Sequence, residues 1–250
     1  MEIIQHEANN WFKTWFDSAY YELLYNNRDE KEAKLFINNL IKFLSPKEDS
    51  YFLDLCCGKG RHTKYIHSLG YKIDGTDLSK RNIKSLKEFN NKEIFFFQSD
   101  MRELNSVNKY DYILNLFTSF GYFEKEEDDL LVAQKINKAL KKKGVVVIDF
   151  INMKKALVKI KKKEIKKLGT ISFQIEKYFD NQFLYKKIEF TDNKKSYSFT
   201  EKVKILYKND FKKIFEKNNL KLVDTFGNYN LSKFDNNSDR LIMIFKKLIN

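Results

Sequence analysis

Three acids, two glycines and a run of tyrosines are the residues of this chain whose types and spacing could do chemistry. Asp54 follows an apolar run, Tyr51-Phe52-Leu53, and precedes Leu55-Cys56-Cys57-Gly58-Lys59-Gly60. An acid at the carboxyl end of a strand, followed by a Gly-X-Gly turn into a helix, builds a pocket wall. Gly58 and Gly60 admit positive φ and keep a Cβ out of a ligand's way. The first turn of the next helix offers free N–H groups to the same space. Asp77 closes a second apolar run 23 residues after Asp54, where a carboxylate can accept both hydroxyls of a ribose. Asp100 closes a third, Ile94 to Gln98, with Met101 next to it.

These features suit a nucleoside that carries positive charge. A dinucleotide fingerprint has a third glycine where this chain has Thr63, and its pyrophosphate would meet the negative Asp54. The same acid favours an amino group and a sulfonium. The residues therefore point to S-adenosylmethionine, with S-adenosylhomocysteine as product, and away from a nicotinamide dehydrogenase. In that reading Asp77 and Leu78 hold the ribose side, Asp100 meets the adenine amino group, and Met101 packs on the ring. Plainer alternatives remain at this level: a glycine turn with no ligand, and Asp77 as a turn or cap residue before Ser79, itself a helix cap.

The elements that must position these groups follow from periodicity. Residues 1–44 read as helical, with Trp11, Phe12, Trp15, Phe16, Tyr20, Tyr21 and Tyr25 as an aromatic stripe, and Pro46 ends that region. Strand 51–55, helix 61–69, strand 71–76, helix 79–89, strand 94–98, strand 111–115, helix 126–141 and strand 144–150 then alternate, which implies βαβ units and a parallel sheet. Three β-like runs, 171–179, 183–190 and 197–207, are joined by the turn dipeptides Asp180-Asn181 and Asp192-Asn193 and read as an antiparallel insertion. Helix 208–218, strand 220–226 and strand 239–247 complete the sheet. The expected organisation is one domain over 1–250: a helical cap at 1–46, a cofactor-binding core at 50–152, an insertion at 171–207 and sheet completion at 208–250.

Composition bounds the partners. A chain of 250 residues that is 42% hydrophobic can bury one sizeable core. No stretch is long and apolar enough to cross a membrane, and the first 30 positions show no signal-peptide pattern. Two adjacent cysteines make no disulfide framework, so a reducing cytoplasm is expected. His6, His62 and His67 lack metal-ligand spacing with them, so no metal is expected. The net charge of +13 invites a nucleic-acid partner, but it is nearly all lysine, and with abundant Asn, Ile and Phe it fits the drift of an AT-rich genome. The densest basic run, Lys159 to Lys167, reads as a solvated helix or loop. Of five arginines, Arg28, Arg61 and Arg102 fall in or beside the site regions, Arg240 opens the last strand, and Arg81 looks incidental.

Taken together, Leu53-Asp54-Leu55-Cys56-Cys57-Gly58-Lys59-Gly60 resembles motif I of the class I S-adenosylmethionine-dependent methyltransferases. Tyr21-Glu22-Leu23-Leu24-Tyr25-Asn26-Asn27-Arg28 is similar to the lead-in of their small-molecule N-methyltransferase branch, and Asn115-Leu116-Phe117-Thr118-Ser119-Phe120-Gly121-Tyr122-Phe123 to the segment after their fourth strand. The resemblance implies a Rossmann-like α/β fold: a seven-stranded sheet with one reversed strand, helices on both faces and an antiparallel β insertion after strand five. It implies that Arg28 pairs with the methionine carboxylate, that Tyr21 or Tyr25 covers the sulfonium, and that Cys56, Asn115 and Leu116 line the cofactor. Departures narrow the class. The Asn/Asp-Pro-Pro-aromatic motif of nucleic-acid amine methyltransferases is replaced by Asn115-Leu116-Phe117-Thr118, and no acidic cluster suits catechol-type chemistry. The expected reaction is in-line transfer to a small-molecule acceptor, an amine before other nucleophiles, with Thr118, Ser119, Tyr122 and His62 as candidate acceptor contacts. The expected assembly is a monomer or homodimer, without membrane or nucleic-acid partners. RNA methylation and a non-catalytic cofactor-binding subunit remain the alternatives.

Overall fold

In the central sheet, successive residues of each strand face opposite cores. Leu53 and Leu55 of β2 (Tyr51–Leu55), Ile113 of β5 (Tyr110–Asn115), and Val146, Ile148 and Phe150 of β6 (Leu140–Ile151) join one apolar cluster. Their neighbours Phe52, Leu114 and Val147 join another. The period of two is that of a sheet buried on both faces. The first cluster takes in α6 (Glu126–Ala139) and α8 (Lys208–Glu216), the second α3 (Glu30–Leu44), α4 (Arg61–Ser68) and α5 (Lys80–Leu86). Helix α3 shows why it folds there: Ala33, Phe36, Ile37 and Leu40 recur at helical spacing and all are buried. The computed structural model describes residues 3–5, 11–25 and 30–249.

The seven-stranded sheet has the order β11-β12-β6-β5-β2-β3-β4, where β3 is Lys72–Asp77, β4 Ile94–Gln98, β11 Leu220–Phe226 and β12 Arg240–Lys247. Only β12 runs against its neighbours in that sheet. The order reverses between β2 and β5, so the carboxyl ends of β2, β3 and β5 open onto the crevice where ligands bind in such sheets. A second sheet, β1-β10-β9-β8-β7, follows the fifth central strand: β7 is Lys163–Leu168, β8 Ile171–Phe179, β9 Phe183–Asp192 and β10 Lys195–Lys204. Its remaining strand, β1 (Ile3–Gln5), lies parallel to β10.

Several expected elements shift. The cap is not helical throughout: besides β1 it contains α1 (Trp11–Trp15) and α2 (Ala19–Leu24) ahead of α3. The run Lys159 to Lys167, read as helix or loop, supplies edge strand β7, so the insertion starts at Lys163 and has four antiparallel strands. The helix expected to reach 141 stops at Ala139, and β6 begins at once. The helix read over 79–89 ends at Leu86 and tightens into a single 3₁₀ turn, Lys87–Phe89.

Candidate active site

Asp54 ends up 1% exposed at the end of β2. Its carboxylate accepts a 2.6 Å hydrogen bond from Thr63 Oγ1 in the first turn of α4. Burial pushes its pKa up to about 6, partly offset by Thr63, with the charge of Asp77 adding to the rise. Thr63 thus occupies the place of a dinucleotide motif's third glycine and fixes the motif's acid instead.

The glycine turn wraps around Asp77. One carboxylate oxygen accepts Gly58 N–H at 2.8 Å and the other Ser79 N–H at 2.9 Å. Burial raises the Asp77 pKa against these bonds. Gly58 has φ +56°, and a Cβ there would meet no protein atom within 4 Å. The turn therefore leaves open space beside two acids, which is the cradle a cationic nucleoside needs. Gly60 serves differently: a Cβ on it would come within 3.0 Å of the Phe96 ring, so this glycine closes α4 onto the sheet. Cys56 sits at φ +69°. Burial and then the nearby acids push both cysteine thiols up, so neither is poised as a nucleophile.

Asp100 faces the same space but is already engaged. Arg102 binds it through Nε at 3.1 Å, Nη2 at 2.7 Å and its backbone N–H at 2.9 Å. Burial alone would raise this carboxyl, and the Arg102 bonds overcome it and hold it low. Arg102 in turn lies 4.3 Å over the Phe123 ring.

One cavity of about 1240 Å³ joins these groups to the acceptor candidates. Its lining includes Asp54, Cys56, Gly58, Asp77, Leu78, Asp100, Met101 and Leu116, together with His62, Thr118, Ser119, Tyr122, Tyr21 and Tyr25. Asn115 does not line it: fully buried, it donates to Leu55 O at 3.1 Å and supports the floor. Gly60 also stays behind the wall. Arg28 lies outside the described residues.

The turn after β5 carries Phe117 and Thr118 consecutively at φ +64°, a strained arrangement for non-glycine residues. Asp149 and Arg240 hold it. Asp149 Oδ2 accepts Phe117 N–H at 2.9 Å, Asp149 Oδ1 takes Arg240 Nε at 2.7 Å, and Arg240 Nη2 reaches Thr118 Oγ1 at 3.1 Å. Ile151 N–H donates to the same hydroxyl at 3.0 Å. Ser119 donates to Leu116 O at 2.8 Å, and Tyr122 donates to Thr118 O. The three acceptor candidates on this turn therefore shape it as well as lining the cavity.

Sequence reasoning passed over the clamps on the α1–α2 segment. Ser79 Oγ donates to Asp17 at 2.5 Å while accepting Asn82 N–H, and Arg81, which looked incidental, donates to Glu22 at 2.7 Å. On the insertion side Glu201 accepts Trp15 Nε1 at 2.8 Å and Tyr25 Oη at 2.6 Å, and Lys186 Nζ donates to Tyr25 Oη at 2.5 Å. Burial pulls the Lys186 pKa down, against the pull of Glu201. Glu201 and Lys186 both line the cavity.

A family model described as a methyltransferase domain matches residues 52–144. The protein is 26% identical over 131 residues to dTDP-3-amino-3,4,6-trideoxy-alpha-D-glucopyranose N,N-dimethyltransferase of Streptomyces venezuelae, a match covering 52% of this chain and 54% of that protein. It is 27% identical over 105 residues to YqeM of Bacillus subtilis, provisionally called a methyltransferase, covering 41% and 42%. The chain thus spans about half the length of the curated relatives it matches, or less. An S-adenosylmethionine-dependent methyltransferase from Clostridium acetobutylicum superposes with a TM-score of 0.76 at 20% identity, over 91% of this chain and 96% of that one. Residues 52–144 thus match a methyltransferase-domain model, and the chain shares the fold of that Clostridium acetobutylicum enzyme.

Proposed function

We propose that this chain binds S-adenosylmethionine and transfers its methyl group to a small-molecule amine. The observation that carries the reading is the cavity in which the open space at Gly58, the acids Asp54 and Asp77, the aromatic α1–α2 segment and the insertion meet. When bound, S-adenosylmethionine supplies an electrophilic methyl: the acceptor lone pair forms the new bond, the C–S pair returns to sulfur, and S-adenosylhomocysteine is left. Asp54 attracts the amino acid end and Asp77 the ribose hydroxyls, with Cys56, Leu78, Met101 and Leu116 as packing walls. The chain's contribution to rate is alignment and exclusion of water, which can supply roughly 7–11 kcal/mol. No protein base is required if the amine arrives neutral; the methylated nitrogen then sheds its proton to water. The Streptomyces venezuelae relative is named for methylating the amino group of a nucleotide-linked sugar. That relationship supports an amine over an oxygen or carbon acceptor.

Calorimetric titration tests the reading. S-adenosylmethionine and S-adenosylhomocysteine should bind, NADH should not, and Asp77→Ala should lose about tenfold or more in affinity with an unchanged circular dichroism spectrum. A wild-type protein that ignores S-adenosylmethionine sinks the proposal. Methyl transfer into a pool of small amines, against none into bulk RNA, separates the acceptor classes.

A further inference from the structure

Beside the cavity lies a buried donor that no described residue bonds. Trp11 is 5% exposed, lines the cavity, and its indole Nε1–H has no hydrogen-bond partner among the described residues. A buried polar group left so is costly unless a ligand completes it. Its surroundings are aromatic. Trp11 meets Tyr122 edge-on at 5.2 Å between ring centroids, Phe16 at 5.3 Å and Phe12 at 5.9 Å. Phe16 continues the cluster to Tyr21 at 4.9 Å. All of these side chains line the same cavity.

We infer that this aromatic box is the acceptor subsite, and that it takes an amine with a hydroxyl or carbonyl oxygen close by, which Trp11 Nε1–H identifies. The inference rests on the methyl-transfer reading and names its substrate class. Ring faces attract a quaternary or protonated nitrogen, and every methyl added spreads its charge over more apolar surface. The box therefore suits a nitrogen that becomes cationic on methylation and tolerates more than one methyl group. Trp11 adds selectivity: an amine without the neighbouring oxygen leaves its N–H orphaned. Trp11 is in this sense a specificity-determining residue.

The test uses the full chain saturated with S-adenosylhomocysteine and three probes read by ligand-observed NMR titration: choline, its neutral carbon isostere 3,3-dimethylbutan-1-ol, and tetramethylammonium. Choline should bind roughly three- to tenfold more tightly than the isostere, because only it is cationic. It should outbind tetramethylammonium by a similar factor, because only it carries the oxygen. Trp11→Phe should erase the advantage over tetramethylammonium and leave S-adenosylhomocysteine affinity unchanged. Phe16→Leu should shrink the advantage over the isostere and keep the one due to the hydroxyl, which guards against a folding defect at Trp11. Equal binding of choline and the isostere, a hydroxyl advantage that survives Trp11→Phe, or no probe binding to a protein that holds S-adenosylhomocysteine would each overturn the inference. Failure to hold S-adenosylhomocysteine at all would instead strike at the proposed function.

Discussion

Asp54 shows how a residue can be costly to the fold and useful to the site. Its carboxyl is raised to about 6 by burial, so the folded protein binds a proton more readily than the unfolded chain does. The contribution of such a group to stability is fully present below the unfolded pKa and is lost as pH rises from the ordinary value of 3.8 through about 6. By neutral pH the loss is on the order of 3 kcal/mol. Asp54→Asn, uncharged at every pH, should raise the melting temperature at pH 7.5 by about 5 °C or more, while weakening S-adenosylmethionine binding more than tenfold. Asp129, also near 6, titrates in the same window but is common to both proteins, so the difference between their scans isolates Asp54. In the wild type, affinity for S-adenosylmethionine should fall as pH drops below about 6, where Asp54 takes up its proton. Thr63→Val removes the bond that favours the charged carboxylate. The midpoint of that binding profile should then move to higher pH, with about tenfold weaker binding at pH 7. The acids and glycines were legible in the sequence because each type does one recognisable thing at a strand end. Thr63 was visible only as a missing glycine: its partner lies on another element, and nothing local marks the bond.

At the scale of elements, the turn after β5 depends on a buried ion pair contributed by two other strands. Asp149 is fully buried and Arg240 is its partner at 2.7 Å. Arg240→Ala would leave the carboxylate uncompensated and release the strained Phe117–Thr118 turn. Chemical denaturation should show a loss of about 3–5 kcal/mol. Alternating strands and helices were readable from hydrophobic period, as the agreement of β2, β4 and β11 with their expected spans shows. Strand β7 was not. Its half-buried positions are Glu164, Lys166 and Leu168, and lysine occurs on both faces, so charge hid the alternation. The available signal was the Gly169-Thr170 pair between Leu168 and Ile171, a two-residue hairpin loop with Gly169 at φ +58°. Buried pairings such as Asp149 with Arg240 were illegible for a different reason: their partners are set by tertiary packing across 91 residues.

For the whole molecule, the part of the cavity around Asp54, Asp77 and Asp100 comes from one continuous stretch, whereas the part proposed for the acceptor is assembled from α1–α2, the turn after β5 and the insertion. Glu201 ties two of these together through Trp15 and Tyr25. Glu201→Ala should speed amide exchange in α1–α2 and leave the strands β2 to β6 unchanged, with S-adenosylhomocysteine restoring part of the protection. Equal exchange in both proteins would show that the other clamps suffice. The fold could be read from sequence because local patterns repeat along it. For the proposed acceptor part, single residues such as Thr118, Ser119 and Tyr122 could be named, but not their meeting with α1–α2, which exists only after distant segments pack together.

The pairing of β1 with β10 changes what kind of cover α1–α2 can be. Before it, the chain is stitched to the insertion; after it, α3 packs among the helices of the central sheet. A segment moored at both shores is a strap and cannot swing back as a flap does. It can bow, and guests must thread beneath it. Under the proposed function, such a passage is expected to filter by girth before any hydrogen bond is made, admitting metabolites and turning away folded polymers, so the choice of acceptor would begin in the way the chain is tied.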